Sequence, residues 1–204
     1  MDEELRARDE PDGRLRGCVS SSDCRLSLVG LGVEVDDALC WEVTGKAPIK
    51  VRWVDVNKGD DDKPNHRSRI VAKEIRTDSR PDLFAATPPL EAIKILLSAA
   101  VTEGLGFTKG QRLRGMKLDF IDVRRAYFQA KARRSVYVKL PDEDYQEGMV
   151  GKLLRSMYGA RDAAQNWEAE YSEFMESIGL KRGIASPCVL FHSERNIRCV
   201  ILLC

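Results

Sequence analysis

Two β-branched runs joined by a turn-forming heptad dominate the first half of the sequence. KVRWVDVNK (Lys50–Lys58) carries Val51, Val54 and Val56, GDDDKPN (Gly59–Asn65) has the Gly, Asp, Pro and Asn chemistry of a chain reversal, and HRSRIVAKEI (His66–Ile75) resumes a strand pattern. Side chains on a strand alternate between its two faces, and residues of the heptad's kind turn the chain back. Together the three pieces predict an antiparallel hairpin, so at least part of the fold is sheet built from local pairing.

The rest of the chain alternates helix and strand signals. Thr87 precedes Pro88 and Pro89, and Leu90, Ile93, Leu97, Ala100 and Val101 recur at helical spacing before Gly104. An amphipathic helix is expected there, with Thr87 as its cap and the prolines in its first turn. Gly115–Asp122 and VYVKL (Val136–Leu140) read as strands. Ala164, Trp167, Tyr171, Phe174 and Ile178 mark one face of a helix ending near Gly179, and spacing of this kind makes that face a core face. PCVLFH (Pro187–His192) and IRCVILLC (Ile197–Cys204) flank Ser193–Asn196 as a second hairpin. The class is α+β with antiparallel sheet and packed helices. Residues 1–40 mix charge, Gly and Ser, and LVGLGV is too rich in glycine to read as a strand. They are expected to be poorly ordered or an unrelated leader, ahead of a domain over residues 41–204.

Composition excludes several classes. The longest apolar stretch, Ile93–Val101, is interrupted by Lys94 and Ser98 and falls short of the roughly 20 residues that cross a bilayer, so no membrane partner is expected. MDEELRARDE at the start lacks the parts of a secretory signal, which points to a reducing, intracellular compartment without distinguishing cytoplasm from nucleus. The six cysteines, Cys18, Cys24, Cys40, Cys188, Cys199 and Cys204, are then expected as thiols. They form no C-x-x-C pair, and no His stands at zinc spacing.

A net charge of +1 hides segregation. Residues 105–140 hold Lys109, Arg112, Arg114, Lys117, Arg124, Arg125, Lys131, Arg133, Arg134 and Lys139 against only Asp119 and Asp122. Such a surplus suits a phosphate-rich partner, and a plain solvated basic face accounts for it equally.

Within that stretch, KLDFIDVRRAYFQA (Lys117–Ala130) places Asp122 at the end of an expected strand, with Tyr127 and Phe128 just beyond. The string resembles the first catalytic motif of reverse transcriptases. Four further strings resemble the copia-type retrotransposon polymerase in the same order: RSRIVAKEI (Arg67–Ile75), DLFAATPPLEAIKILLSAAV (Asp82–Val101), SVYVKLP (Ser135–Pro141) and LLRSMYGARDAAQNW (Leu153–Trp167), followed by SPCVLF (Ser186–Phe191). The resemblance covers residues 41–204 and implies the fingers and the first part of the palm of an RNA-directed DNA polymerase. It implies that Asp122, with the carbonyl of Val123, binds Mg2+, since in-line phosphoryl transfer uses hard oxygen ligands around two ions roughly 4 Å apart. Tyr127, with Phe128 beside it, is then the steric gate under the nucleotide sugar. Arg67, Arg69 and Lys73 share one face of a strand and are set to meet a triphosphate, or equally template phosphates. Where the family has a Gln followed by Ser-Pro, this chain has Asp162, Ala163 and Ala164. Gln165 is displaced along the helix, and it reads as a nucleotide contact or a helix surface residue.

In the family, the strand after the SPCVLF-like segment leads to a Tyr-x-Asp-Asp hairpin that carries the remaining carboxylates, whereas IRCVILLC closes this sequence. The resemblance therefore implies an incomplete palm, a missing C-terminal palm segment, and a fragment inactive by itself. Its partners would be RNA or DNA template-primer and nucleotides. The second reading is a non-catalytic nucleic-acid-binding or interaction module.

Overall fold

A computed structural model describes residues 30–75, 83, 85–111 and 115–202. The backbone divides into two compact units, one formed by the chain up to Glu74 with Arg134–Leu154, the other by Ile75–Arg133 with Arg155 onward.

The first unit holds two small antiparallel sheets. β1 (Gly32–Asp36) and β4 (Tyr137–Lys139) both pair with β5 (Met149–Leu153), which is the central strand. β1 lies in the stretch expected to lack structure, and the glycine that weakened the strand reading is what the pairing uses. A Cβ on Gly32 would come within 2.4 Å of the Lys152 carbonyl oxygen, so only glycine fits this approach. The remainder of that expectation, residues 1–29, lies outside the described residues. Asp36 then caps α1 (Asp37–Thr44), its Oδ1 accepting a hydrogen bond from the Ala38 amide at 2.7 Å, and Gly45 ends the helix at φ 63°. Cys40, Tyr137 and Val150 form a buried cluster with Val35 and Leu39 against it. The expected hairpin is present as β2 (Val51–Asn57) and β3 (His66–Ala72), paired from Val51↔Ala72 to Asn57↔His66. Its turn is fixed by Asn57, whose Oδ1 accepts from the amides of Gly59 and Asn65.

The second unit contains α2 (Leu90–Val101), a single turn α3 (Ala126–Gln129), α4 (Ala163–Ser177) and a three-stranded sheet. The sheet order is β6 (Lys181–Arg182), β7 (Val189–His192), β8 (Ile197–Val200). α2 begins after Pro89, which itself occupies the cap position, and Thr87 does not cap it. A residue that precedes proline is held extended, so Thr87 and Pro88 both stay outside the helix. No residue of α2 is buried, although all but Glu91, Lys94 and Ser98 are apolar. α4 ends as expected at Gly179, with φ 94°. Its expected core face is only partly one: Tyr171 is buried, but Phe174 is 60% and Ile178 46% exposed. The rest of the buried surface of α4 is small or polar, namely Ala163, Asn166 and Ser172. Among the described residues no helix is long and apolar enough to cross a membrane.

Candidate functional site

Asp122 does not end a strand. Gly115–Asp122 has no regular structure and pairs with no strand among the described residues. The apolar alternation that suggested a strand is real, but backbone donors and acceptors need a partner ladder, and a register needs one buried face. Here Phe120 and Ile121, successive residues, are 82% and 83% exposed, so neither face is covered. Asp122 and Val123 are likewise exposed.

Just beyond Asp122 the chain reverses. Arg125 adopts the left-handed conformation (φ 55°, ψ 45°), which costs a non-glycine residue about 1 kcal/mol or more, and its carbonyl accepts from the Phe128 amide at 2.9 Å. This starts α3 and carries Tyr127 and Phe128 inward. Their ring centroids lie 4.6 and 5.2 Å from that of Tyr158, which stands before the Gly159 turn. Thus two of the strings singled out in the sequence, 117–130 and 153–167, meet at one aromatic cluster. Tyr127 is half-buried, its ring held by a neighbour that fixes its orientation.

A polar network, buried at its Ser156, Asp162 and Asn166 side chains, holds this turn against α4. The Ser156 amide donates to the Ala130 carbonyl at 2.8 Å, and Arg155 Nη1 donates to the Gln129 carbonyl at 2.6 Å. Asn166 Nδ2 donates to Ser156 Oγ at 3.0 Å and to Asp162 Oδ2 at 2.9 Å, and all three side chains are buried. In the sequence Asp162 stands out only as a loss at the family's Gln position, and Asn166 does not stand out at all. Their spacing of four on a helix is the signal that pairs them. Gln165 sits half-buried in the first turn of α4.

The fingers candidates lie in the first unit. Residues directly opposite on paired strands share a face, so Arg67 and Arg69 of β3 share theirs with Val56 and Val54 of β2. Arg52, opposite Val71, belongs to the same face, and was not singled out in the sequence. Lys73, whose amide donates to the Lys50 carbonyl, continues the alternation. Arg52, Arg67 and Arg69 are exposed, whereas Ile70 and Ala72 on the other face are buried. The hairpin therefore presents one cationic and one core face.

The basic run is less available than its charge count suggests. Arg134 Nη2 donates to Glu74 Oε2 at 2.6 Å, and Arg133 pairs with Glu173, whose carboxyl is held below its ordinary range by that hydrogen bond and by the Arg133 charge. Arg124 and Arg125 remain exposed at the turn.

Among the described residues no group of three His, Cys, Asp or Glu side chains is placed to hold a metal ion. A divalent ion of the Mg2+ kind needs about six oxygens, including one or two carboxylates and substrate phosphates. The exposed Asp122 therefore does not, with its described neighbours, make a two-ion centre.

The sequence is similar to those of known proteins. Residues 39–202 match the family described as reverse transcriptase (RNA-dependent DNA polymerase), and the chain belongs to that family. More particularly, it is a reverse-transcriptase segment of the copia retrotransposon type. It is 28% identical over 169 residues to the retrovirus-related Pol polyprotein from transposon TNT 1-94 of Nicotiana tabacum, a match covering 78% of this chain and 12% of that protein. It is 26% identical over 179 residues to the retrovirus-related Pol polyprotein from transposon RE1 of Arabidopsis thaliana, covering 80% of this chain and 11% of that protein. The chain thus spans about an eighth of the length of these curated relatives. No solved structure matches it.

Proposed function

We propose that the chain supplies the fingers hairpin and the first palm segment of an enzyme that extends a DNA primer on an RNA or DNA template. The observation that carries this reading is the turn at Arg125, which leaves Asp122 exposed while seating Tyr127 and Phe128 on Tyr158. In it Asp122, with the Val123 carbonyl, is one ligand of a Mg2+ centre whose other carboxylates come from outside the described residues. Tyr127 limits the room beside the sugar, with Phe128 packing behind it. Arg67, Arg69 and Lys73, joined by Arg52, attract phosphates. Gln165 is a nucleotide contact from the start of α4.

The test uses a Pol-type protein that contains this chain and its flanking sequence. Asp122→Asn is expected to abolish template-dependent incorporation, and Tyr127→Ala to admit ribonucleotides that the parent refuses. Full incorporation by Asp122→Asn would remove the catalytic assignment, and unaltered sugar discrimination by Tyr127→Ala would remove the gate.

A second reading, a non-catalytic nucleic-acid-binding module, is favoured by the cationic face of the β2–β3 hairpin, which needs no metal centre to attract phosphates.

A further inference from the structure

The segment before Asp122 combines an unused strand pattern with a cavity beside it. Among the described residues the backbone of 117–123 makes no backbone hydrogen bond and pairs with no strand, so its donors and acceptors are open to a partner ladder. In an extended chain alternate residues share a face, which puts Met116, Leu118 and Phe120 on one and Lys117 and Asp119 on the other. Leu118 is 41% exposed and Phe120 82%.

Within the same unit lies a cavity of about 240 Å³, lined by apolar residues and glycine, among them Val101 at the end of α2, Phe107, Met116 and Leu118. An apolar cavity of about 150 Å³ accepts benzene, so this one has room for a phenyl ring. It is smaller than the roughly 300–1,000 Å³ that a drug-sized ligand occupies.

Ring and cavity belong to one short stretch of chain. A patch that carries both a knob and its hole closes on itself about a two-fold axis, so the occupant it fits is a second copy. Phe120 reaches the other copy's cavity when it stands opposite Met116, Lys117 or Leu118. Antiparallel pairing with Leu118 on the axis sets Phe120 against Met116 and Lys117 against Asp119, each twice. One residue along, Phe120 faces Lys117 and Leu118 faces Asp119. Two along, Asp119 faces itself, and like charges directly opposite are destabilising. The Leu118 register alone of these satisfies ring and charges together.

We propose that two copies of the chain associate by antiparallel pairing of residues 116–120 about Leu118, each placing its Phe120 in the other's cavity. The pairing goes beyond the polymerase reading and does not rest on it, since Asp122 takes no part.

Sedimentation equilibrium of the 204-residue chain should show monomer and dimer in exchange. Phe120→Asp is expected to weaken the dimer about ten-fold or more. Lys117→Glu is expected to weaken it about five-fold, because the pair is lost twice, and adding Asp119→Lys should restore parental association. Oxidation of single-cysteine additions reads the register. Leu118→Cys brings two thiols onto the axis at a Cα separation of about 4.5–5.5 Å, within reach of a disulfide, and peptide mapping should find the 118–118 link. Phe120→Cys should give no 120–120 link, since those two positions lie about 14 Å apart along the ladder. All of these side chains but one are exposed in the monomer, and Met116 is left unaltered, so the fold is not at stake. A chain that stays monomeric while benzene binds its cavity would give that cavity to a small apolar ligand and overturn the proposal. So would association unchanged by Phe120→Asp, a charge swap that restores nothing, oligomers that grow past the dimer, or a 120–120 link in place of the 118–118 one.

Discussion

At the scale of single residues, the second unit keeps two ionisable groups neutral. Burial pushes the Cys188 thiol up, with the Glu168 carboxylate adding to it, and burial pushes the Tyr171 hydroxyl well above its ordinary range, with Cys188 and Glu168 nearby. Cys188 Sγ donates to the Ala86 carbonyl at 3.0 Å, and Glu168 Oε2 accepts from the Ala86 amide at 2.8 Å. Both folded values are raised, so the unfolded chain releases these protons first as pH rises. Stability from this source is complete below the ordinary thiol value of 9.0 and falls as pH climbs above it. Thermal unfolding between about pH 9 and 11 should therefore show a declining midpoint, and Cys188→Ala with Tyr171→Phe should flatten the decline. Iodoacetamide should label Cys188 slowly in the native protein and fast in denaturant. None of this was legible in the sequence, where Tyr171 could be assigned to a core but Cys188 had no visible partner.

Elements show why reading succeeded in some places and failed in others. The β2–β3 hairpin and the β7–β8 hairpin were legible because both strands and the turn between them lie within one local stretch. α4 was legible to its last turn because Gly179 ends it, and its left-handed backbone packs so close to His192 that a Cβ would stand 2.9 Å from Nε2. The segment before Asp122 failed because a strand is a relation between two pieces of chain, and periodicity reports only one. Phe174 and Ile178 failed because α4 packs through small and polar residues instead. Asn166 is the clearest of these: Asn166→Ala removes both donations from Nδ2, leaves buried polar oxygens less satisfied, and should cost about 2 kcal/mol. Denaturant unfolding measures this, and parent-like stability would show that the network is incidental. On the hairpin, combined Arg52→Ala, Arg67→Ala and Arg69→Ala should lower the salt slope of oligonucleotide binding by roughly 0.7 to 0.9 for each phosphate no longer neutralised, and an equal slope would mark the face as ordinary surface.

For the whole molecule, family membership was legible from the order of its strings, whereas the division into two units was not, because contacts far apart in sequence decide it. The described residues bring no group of carboxylates around Asp122, so the 204-residue chain on its own is expected to show no primer extension with Mg2+ or Mn2+. Template-dependent product that disappears in Asp122→Asn would contradict this. The first unit is also discontinuous: β1 can complete its ladder only with β5, from Asp36↔Met149 to Gly32↔Leu153. During synthesis at about 5–20 residues per second, the partner strand reaches the ribosome exit many seconds after β1 does. Over that interval the nascent chain carries an open strand edge and an uncovered Cys40 face while the residues of the second unit are being made. Its yield in a cell is then a matter of what chaperones shield as much as of the free energy of the finished fold.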